Sequence, residues 1–318
     1  MEHGNYTVVT ELVLLGLTQN HEVQMILFFF FLLFYMIILP GNILIILTIW
    51  GDPQLGSPMY FFLANLAFLD ICYCSVTSPK MLADFFSDRK TISYSACIAQ
   101  LFFLHFLGAA EAFLLMVMAY DRYVAICKPL HYTRLVNRRV CCVLVGVTWS
   151  GGFIHGIILL GLSIHLLLCG PNILDNFFCD VHQLVKLACD NYFVHYTSPN
   201  LLHCPGVVIV MCITLLLISY TVLLLKLRTQ SSKAKNKVAS TCVSHIIVVF
   251  VMCAPAVYIY GLPFQVVPME KFVAVFHTVI FPLTNPRIYT LCNKEIKSSM
   301  WRLLSKCVLR CGKSKTNI

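Results

Sequence analysis

Seven long apolar segments constrain the fold of this chain more than any other feature. Each is about 20 residues or longer, the length that an α-helix needs to cross roughly 30 Å of hydrocarbon. The segments cover residues 25–49, 58–78, 97–120, 140–162, 196–225, 238–262 and 272–291. With 59% hydrophobic and 12% charged residues, the chain does not have the composition of a water-soluble domain. We therefore predict an all-α membrane protein with a bundle of seven transmembrane helices.

The distribution of basic residues predicts how this bundle is oriented. Lys and Arg are concentrated after the third, fifth and seventh segments, and residues 1–23 contain none. The positive-inside rule then makes residues 1–23 an extracellular N-terminus, 24–291 the transmembrane domain, and 292–318 a cytoplasmic tail with a short amphipathic helix. The formal charge of +9 lies beside the anionic inner leaflet, so it indicates membrane lipids as partners and not nucleic acid.

Candidate modification sites follow from this orientation. The sequence "NYT" makes Asn5 a candidate for glycosylation in the outer segment. Cys307 and Cys311 follow a basic amphipathic stretch near the membrane, which makes reversible palmitoylation a hypothesis for both. Four of the sixteen cysteines are predicted to lie outside the cell: Cys97, Cys169, Cys179 and Cys189. Four cysteines allow three pairings, and the spacing leaves all three open.

Ionisable residues inside apolar segments are functional candidates because a charge costs several kcal/mol there. We identify Asp70, His105, Glu111 and Arg287. Asp70 and Glu111 could share a proton or hold a cation if they face the same interior, or they could be separately protonated. Asn42, Asn65 and Asn285 could add oxygen ligands for a hard cation.

The chain lacks common enzyme motifs. It contains no phosphate-binding glycine loop, no HExxH, and no Ser, His and Asp set that can be assembled outside the membrane. A transporter remains an alternative because intramembrane acids and broken helices occur in transporters, yet no internal repeat is visible. Pro286, beside Asn285, predicts a hinge in the seventh helix.

Several motifs, taken in order, closely resemble the odorant (olfactory) receptors, a branch of the rhodopsin-like G-protein-coupled receptors. The resemblance covers nearly the whole chain. Its motifs are "GN" at 41–42, "PMYFFLANLAFLD" at 58–70, "MAYDRYVAICKPLHY" at 118–132, "SY" at 219–220, "KVASTCVSH" at 237–245 and "NPRIYTLCNKE" at 285–295. The resemblance implies a plasma-membrane receptor, not an enzyme, that binds small volatile odorants and activates a stimulatory heterotrimeric G protein to raise cAMP.

The resemblance also implies roles for individual residues. Asp121 would restrain Arg122 in the inactive state, and Arg122 with Tyr123 would help to receive the G protein after activation. An arginine suits this role because it stays charged and presents a rigid fork of donors. The activation switches implied by the same motifs are Tyr220, Asn285, Pro286 and Tyr289.

Two disulfides and an ion site are implied in the same way. The family pattern pairs Cys97 with Cys179 and Cys169 with Cys189. Asp70 and Glu111 match the family's intramembrane acids, which resemble a sodium site, so Na⁺ is a possible allosteric ion while no cofactor is required. The chain departs from the pattern at Arg287, usually apolar, and at Cys292, commonly basic.

Family members bind odorants between spans three, five, six and seven, in the outer third of the bundle. Positions matched by helical spacing are Leu104, His105, Gly108, Cys204, Val207, Val208, Ala256, Val257, Tyr260, Val275 and Thr278. An apolar pocket with one or two orienting polar groups suits a small molecule. His105 and Tyr260 are the predicted hydrogen-bonding residues, although His105 could instead be a helix-packing histidine.

Overall fold

Four helices in the first half of the chain are long and apolar enough to cross a membrane. The computed structural model describes residues 10–166, 168, 172–189, 192–227, 246–252, 254–255, 257–258, 270–284 and 294–315. The four helices are α1 (His21–Gly51), α2 (Pro58–Asp84), α3 (Tyr94–Cys127) and α5 (Arg138–Ile164), with the short α4 (Tyr132–Leu135) before α5. They coincide with the first four predicted spans; α1, α3 and α5 extend beyond both ends of the prediction, and α2 extends beyond its C-terminal end.

The second half of the chain supplies helices at the remaining predicted spans. A short helix α6 (Val181–Lys186) precedes α7 (Tyr192–Leu227), which covers the fifth span. For the sixth span, residues 246–252 form α8. The seventh contains α9 (Glu270–Val275), which continues through a π-helical turn (Phe276–Ile280) to residue 284. A last helix, α10 (Lys294–Lys315), lies within the predicted 292–318 segment.

Side-chain caps set where several helices begin. The Asn20 side chain accepts hydrogen bonds from the backbone N–H groups of Glu22 and Val23, so α1 begins at His21, inside the predicted 1–23 segment. The Ser93 hydroxyl caps α3 in the same way, and Pro58 occupies the first turn of α2. Polar capping residues at the edges of apolar segments thus extend the helices beyond the apolar sequence.

A three-stranded sheet covers one end of the bundle. Its central strand β1 (Glu11–Leu14) pairs antiparallel with β2 (Thr91–Ser93) and parallel with β3 (Ile173–Leu174). Leu12 and Leu14 are buried against the loop that carries Cys179. This sheet was not among the elements predicted from the sequence. We call this the sheet end, and the opposite end, where Asp121 lies, the Asp121 end.

Helix α10 is attached to the turn between α1 and α2 at the Asp121 end. Arg302 donates from Nη2 to Asp52 Oδ2 at 2.8 Å and from Nη1 to Gln54 Oε1 at 3.0 Å. Tyr60 at the start of α2 donates its hydroxyl to Glu295 Oε2 at 2.5 Å. Trp301 is 66% exposed on the same helix. Polar contacts therefore hold one face of α10 against the bundle, and the Trp301 side chain remains exposed.

Helices α3 and α5 approach each other closely at Gly152. A Cβ atom at this glycine would lie 2.6 Å from the Phe106 carbonyl oxygen and 2.8 Å from the Ala110 Cβ. Real Cβ atoms do not approach other heavy atoms so closely, so only glycine permits this separation of the backbones. Small residues at helix interfaces allow this kind of close packing in membranes.

We predict that Gly152→Ala destabilises the bundle, because α3 and α5 must move apart to admit the methyl group. Overpacking of this kind costs about 1–3 kcal/mol. The measurement is the thermal unfolding midpoint of the purified protein in detergent micelles. The matched control is Gly146→Ala on the same helix, where no other described atom lies within 4 Å of the added Cβ. Equal midpoints for the two variants would contradict the close contact.

Candidate functional site

A cavity of about 90 Å³ lies between the helices near the sheet end. Helices α2, α3, α5, α7, α8 and α9 contribute to its wall, and the loop after β3 closes it. Five of the residues predicted to contact a ligand line it: Leu104, His105, Gly108, Val208 and Thr278. The helical spacing on α3 therefore brings its predicted positions together.

Other predicted ligand positions lie elsewhere. Val207 is 59% exposed and Val257 is 38% exposed, so both face away from the cavity, and the prediction is corrected for them. On α9, Ala274 lines the cavity and Val275 does not. Helical spacing predicts which residues share a face. When a helix is apolar on all sides, as α7 is, the sequence does not indicate which of its faces points into the bundle. Ala256, Tyr260 and the side chain of Cys204 lie outside the described residues.

Several polar residues that the sequence analysis did not select also line the cavity. They are Tyr73, His155, Asn176, Asp180 and His277. His155 and His277 lie within apolar segments, so the rule for intramembrane ionisable residues could have found them. Asn176 and Asp180 lie in a loop, and no periodic pattern would have placed them at the cavity.

The polar wall contains a direct contact between two helices. The Tyr73 hydroxyl on α2 and His277 Nδ1 on the seventh-span helix form a hydrogen bond of 2.8 Å. Nearby, the rings of His105 on α3 and His155 on α5 meet edge to face, with 6.1 Å between their centroids. Three histidines from three helices thus line one small cavity. An otherwise apolar site gains hydrogen-bonding groups that can orient a ligand.

A disulfide holds the loop that closes the cavity. Cys97 at the start of α3 is bonded to Cys179, which is one of the cavity residues. Gln100, one turn further along α3, accepts from the Cys179 backbone N–H at 2.9 Å and donates to the Val76 carbonyl at 3.1 Å. Cys189 is also disulfide-bonded, while its predicted partner Cys169 lies outside the described residues. The disulfide and the first hydrogen bond therefore tie the loop to α3, and the second hydrogen bond ties α3 to α2.

The two intramembrane acids are both buried deep in the bundle. Asp70 is 0% exposed and Glu111 is 2% exposed. Asn42 on α1 donates to the Ile38 carbonyl at 3.1 Å, and its buried Oδ1 makes no hydrogen bond within the described part of the chain. Among the described residues, no cluster of three or more His, Cys, Asp or Glu side chains is placed to hold a metal ion. An ion would therefore need amide or carbonyl oxygens beside the carboxylates.

The acid and base of the "DRY" sequence interact at the other end of α3. Arg122 donates from Nη2 and Nε to Asp121 Oδ2, at 2.5 and 3.1 Å. Tyr132 on α4 donates its hydroxyl to Asp121 Oδ1 at 2.7 Å, so both oxygens of the buried carboxylate are engaged. Burial, followed by this hydrogen bond, raises the pKa of the Tyr132 phenol. The phenol therefore remains a donor at neutral pH.

The remaining predicted residues are only partly described. Tyr123 is half-buried beside Arg122, and Tyr220 is buried on α7. Cys307 and Cys311 lie in α10, but their side chains are outside the described set. The other predicted positions that fall outside it are Asn5, Asn285, Pro286, Arg287 and Tyr289.

Comparison with known proteins gives consistent matches over the whole bundle. The sequence model of the olfactory receptor family matches residues 31–307. Human olfactory receptor 4M1 is 57% identical over 97% of this chain and 99% of its own length. Human olfactory receptor 4N5 is 56% identical over 96% of this chain and 99% of its own, and mouse olfactory receptor 4M1 is 55% identical over 97% and 98%.

Proposed function

Because the chain belongs to the olfactory receptor family, we propose that its cavity is the odorant site and that Asp121 and Arg122 form the coupling site for a G protein. The protein is a seven-helix membrane receptor and not an enzyme. The observation that carries the proposal is that α3 contributes to both places. His105 and Gly108 line the cavity, and Asp121 and Arg122 lie at the end of the same helix.

The sheet end faces outward in this proposal, and the receptor lies in the plasma membrane. The concentration of Lys and Arg after the third, fifth and seventh spans supports a cytoplasmic Asp121 end. The disulfide between Cys97 and Cys179 supports an oxidising environment for the sheet end. Asn5 would then be accessible for glycosylation, and Cys307 and Cys311 would lie near the inner leaflet, where palmitate and anionic lipids can hold the basic tail.

The ligand would be small, volatile and largely apolar. A cavity of about 90 Å³ is smaller than the roughly 150 Å³ that accommodates benzene in a protein core, so larger odorants require side chains to move. Burial of about 250 Å² of apolar ligand surface would contribute about 6 kcal/mol. That free energy corresponds to a dissociation constant of tens of micromolar. Such an agonist needs only a modest preference for the active conformation.

Signalling would begin with release of Arg122. In the inactive bundle Asp121 holds the guanidinium and Tyr132 holds Asp121. Movement of α3 and the seventh-span helix toward the odorant would break this arrangement and free Arg122, with Tyr123, to contact the G protein. Tyr220, Asn285, Pro286 and Tyr289 would act as switches on the moving helices. The partner we propose is a stimulatory heterotrimeric G protein that raises cAMP.

Sodium is proposed as an allosteric ion of the inactive state. The buried carboxylates of Asp70 and Glu111 supply hard oxygen donors, and the Asn42 Oδ1 atom is a buried acceptor without a described partner. These residues fit a small hard cation better than they fit a transition metal. Binding of sodium would favour the inactive bundle and oppose the effect of an odorant.

The test of the proposed function is a cAMP reporter in cells that express the chain with a surface tag. We expect a concentration-dependent rise in cAMP with some odorants in a broad mixture screen. Receptor-free cells are the control. Equal responses in those cells, or uptake of odorant without any signal, would contradict the proposal and would favour a transporter.

Removing the Tyr132 hydroxyl should raise basal signalling. Tyr132→Phe deletes one hydrogen bond to a buried carboxylate, which loosens Asp121 and thereby Arg122. We expect basal cAMP per receptor at the surface to rise about threefold or more, since a hydrogen bond to a charged group contributes about 1.5–3 kcal/mol. Tyr120→Phe, at a 43% exposed position, is the matched control. Unchanged basal cAMP with normal surface delivery would show that Tyr132 does not restrain the receptor.

The sodium hypothesis predicts a specific effect of Glu111→Gln. In the wild-type receptor, replacing extracellular sodium by choline should raise basal cAMP, because sodium stabilises the inactive state. Glu111→Gln removes one carboxylate charge and should weaken this dependence while leaving surface expression largely intact. Glu11→Gln, at an exposed position of β1, controls for loss of a charge. The same sodium response in wild type and Glu111→Gln would remove the hypothesis.

A further inference from the structure

The loop that closes the cavity presents a buried amide group whose geometry points to a ligand. Asn176 is 1% exposed and lines the cavity. Its Oδ1 accepts a hydrogen bond from the Phe177 backbone N–H at 2.9 Å. This contact identifies the remaining polar atom of the carboxamide as the donor Nδ2. Within the described residues, Nδ2 has no hydrogen-bond partner. A buried donor of this kind destabilises the protein unless an acceptor reaches it.

The contact between Tyr73 and His277 also leaves a donor, whichever proton arrangement it adopts. If Tyr73 donates to His277 Nδ1, the imidazole carries its proton on Nε2. If His277 Nδ1–H donates to the phenol oxygen, the Tyr73 hydroxyl proton is left to donate elsewhere. Both residues line the same cavity as Asn176. The polar wall therefore offers hydrogen-bond donors from the loop and from the bundle.

The charged residues that line the cavity disfavour an anionic ligand. Among the described residues that line it, there is an acid, Asp180, and there is no lysine or arginine. Asp180 is 4% exposed, and Glu111 is buried one turn along α3 from Gly108. A carboxylate ligand would lose its hydration on entering the cavity, and no lysine or arginine among these lining residues would compensate for that loss. A protonated amine would be attracted by Asp180, but it has no lone pair for the Asn176 amide.

We propose that the cavity selects uncharged odorants that carry a carbonyl oxygen, and that this oxygen accepts a hydrogen bond from Asn176 Nδ2. The inference rests on the proposed function, because it assigns a ligand class to the same odorant site. Asn176 positions the polar head of the ligand under the disulfide-held loop. The apolar part of the ligand then lies against cavity residues such as Leu104, Val208 and Met252.

The test compares Asn176→Asp with wild type in the cAMP reporter. Aspartate keeps the oxygen that accepts from the Phe177 N–H and removes the amide donor. The probes are ketones, aldehydes and esters with six to ten carbons, and the alcohol, carboxylic acid, amine and alkane of each skeleton. We expect wild-type agonists to be concentrated among the carbonyl compounds, and their potency to fall about tenfold or more in Asn176→Asp.

Asn172→Asp is the matched control, since Asn172 lies directly before β3 and is exposed, and its amide donates to the Glu11 carbonyl outside the cavity. Carbonyl agonists should keep their potency in this variant within about twofold, a change smaller than the loss of one hydrogen bond would cause. Responses are normalised to surface expression. If Asn176→Asp is not delivered to the surface, Asn176→Ala repeats the test, because alanine removes the amide donor and adds no other hydrogen-bonding group.

Three results would overturn the inference while the proposed function survives. The first is a wild-type receptor activated mainly by compounds that lack a carbonyl group. The second is unchanged potency of carbonyl agonists in Asn176→Asp, which would mean that the amide is satisfied without the ligand. The third is a wild-type receptor that gives no cAMP response to any probe, while its Tyr132→Phe variant does raise basal cAMP. If the wild type responds to no probe and the Tyr132→Phe variant does not raise basal cAMP either, the result counts against the proposed function.

Discussion

The bilayer requires every backbone N–H and C=O group in its core to be bonded within the protein, and this requirement governs the whole structure. It makes helices the only regular solution for the apolar segments, and it confines strands to the end of the bundle. The short sheet of β1, β2 and β3 lies beyond the ends of α1, α2 and α3 for that reason. Irregular backbone also closes the cavity, in the loop tethered by Cys179.

Helix α3 connects the two regions that we propose for odorant binding and for coupling to the G protein. Its first turns are fixed by the disulfide at Cys97 and by the hydrogen bonds of Gln100. Its middle packs against α5 so closely that Gly152 admits no side chain. Its last turns hold Asp121 and Arg122. A rigid helix that is anchored at one end and restrained at the other can transmit a small displacement at the cavity to Arg122, because packed interfaces move between discrete arrangements.

Much of this architecture follows from the sequence, for identifiable reasons. Segment length and apolarity predict helices, and basic residues at segment ends predict an orientation. The resemblance to odorant receptors implied the bond between Cys97 and Cys179, which the structure contains.

Other positions could not be predicted from these patterns. On a helix that is apolar on every side, the sequence does not indicate which face points inward, and Val207, which was predicted to face the ligand, is exposed. Asn176 could not be predicted because its position depends on a loop held by tertiary contacts. His277 could have been found, since it obeys the same rule that selected His105.

The central claim is that the odorant binds in the cavity beneath the disulfide-held loop and not on the lipid-facing surface. Photocrosslinking tests it most directly, with a diazirine analogue of an agonist applied to the receptor in membranes and the labelled peptides identified by mass spectrometry. The account predicts adducts on α3 around His105 and Gly108 and on the helix that carries His277, all reduced by excess unmodified agonist. Adducts confined to exposed positions such as Val207 or Phe272, or labelling that agonist does not reduce, would contradict it.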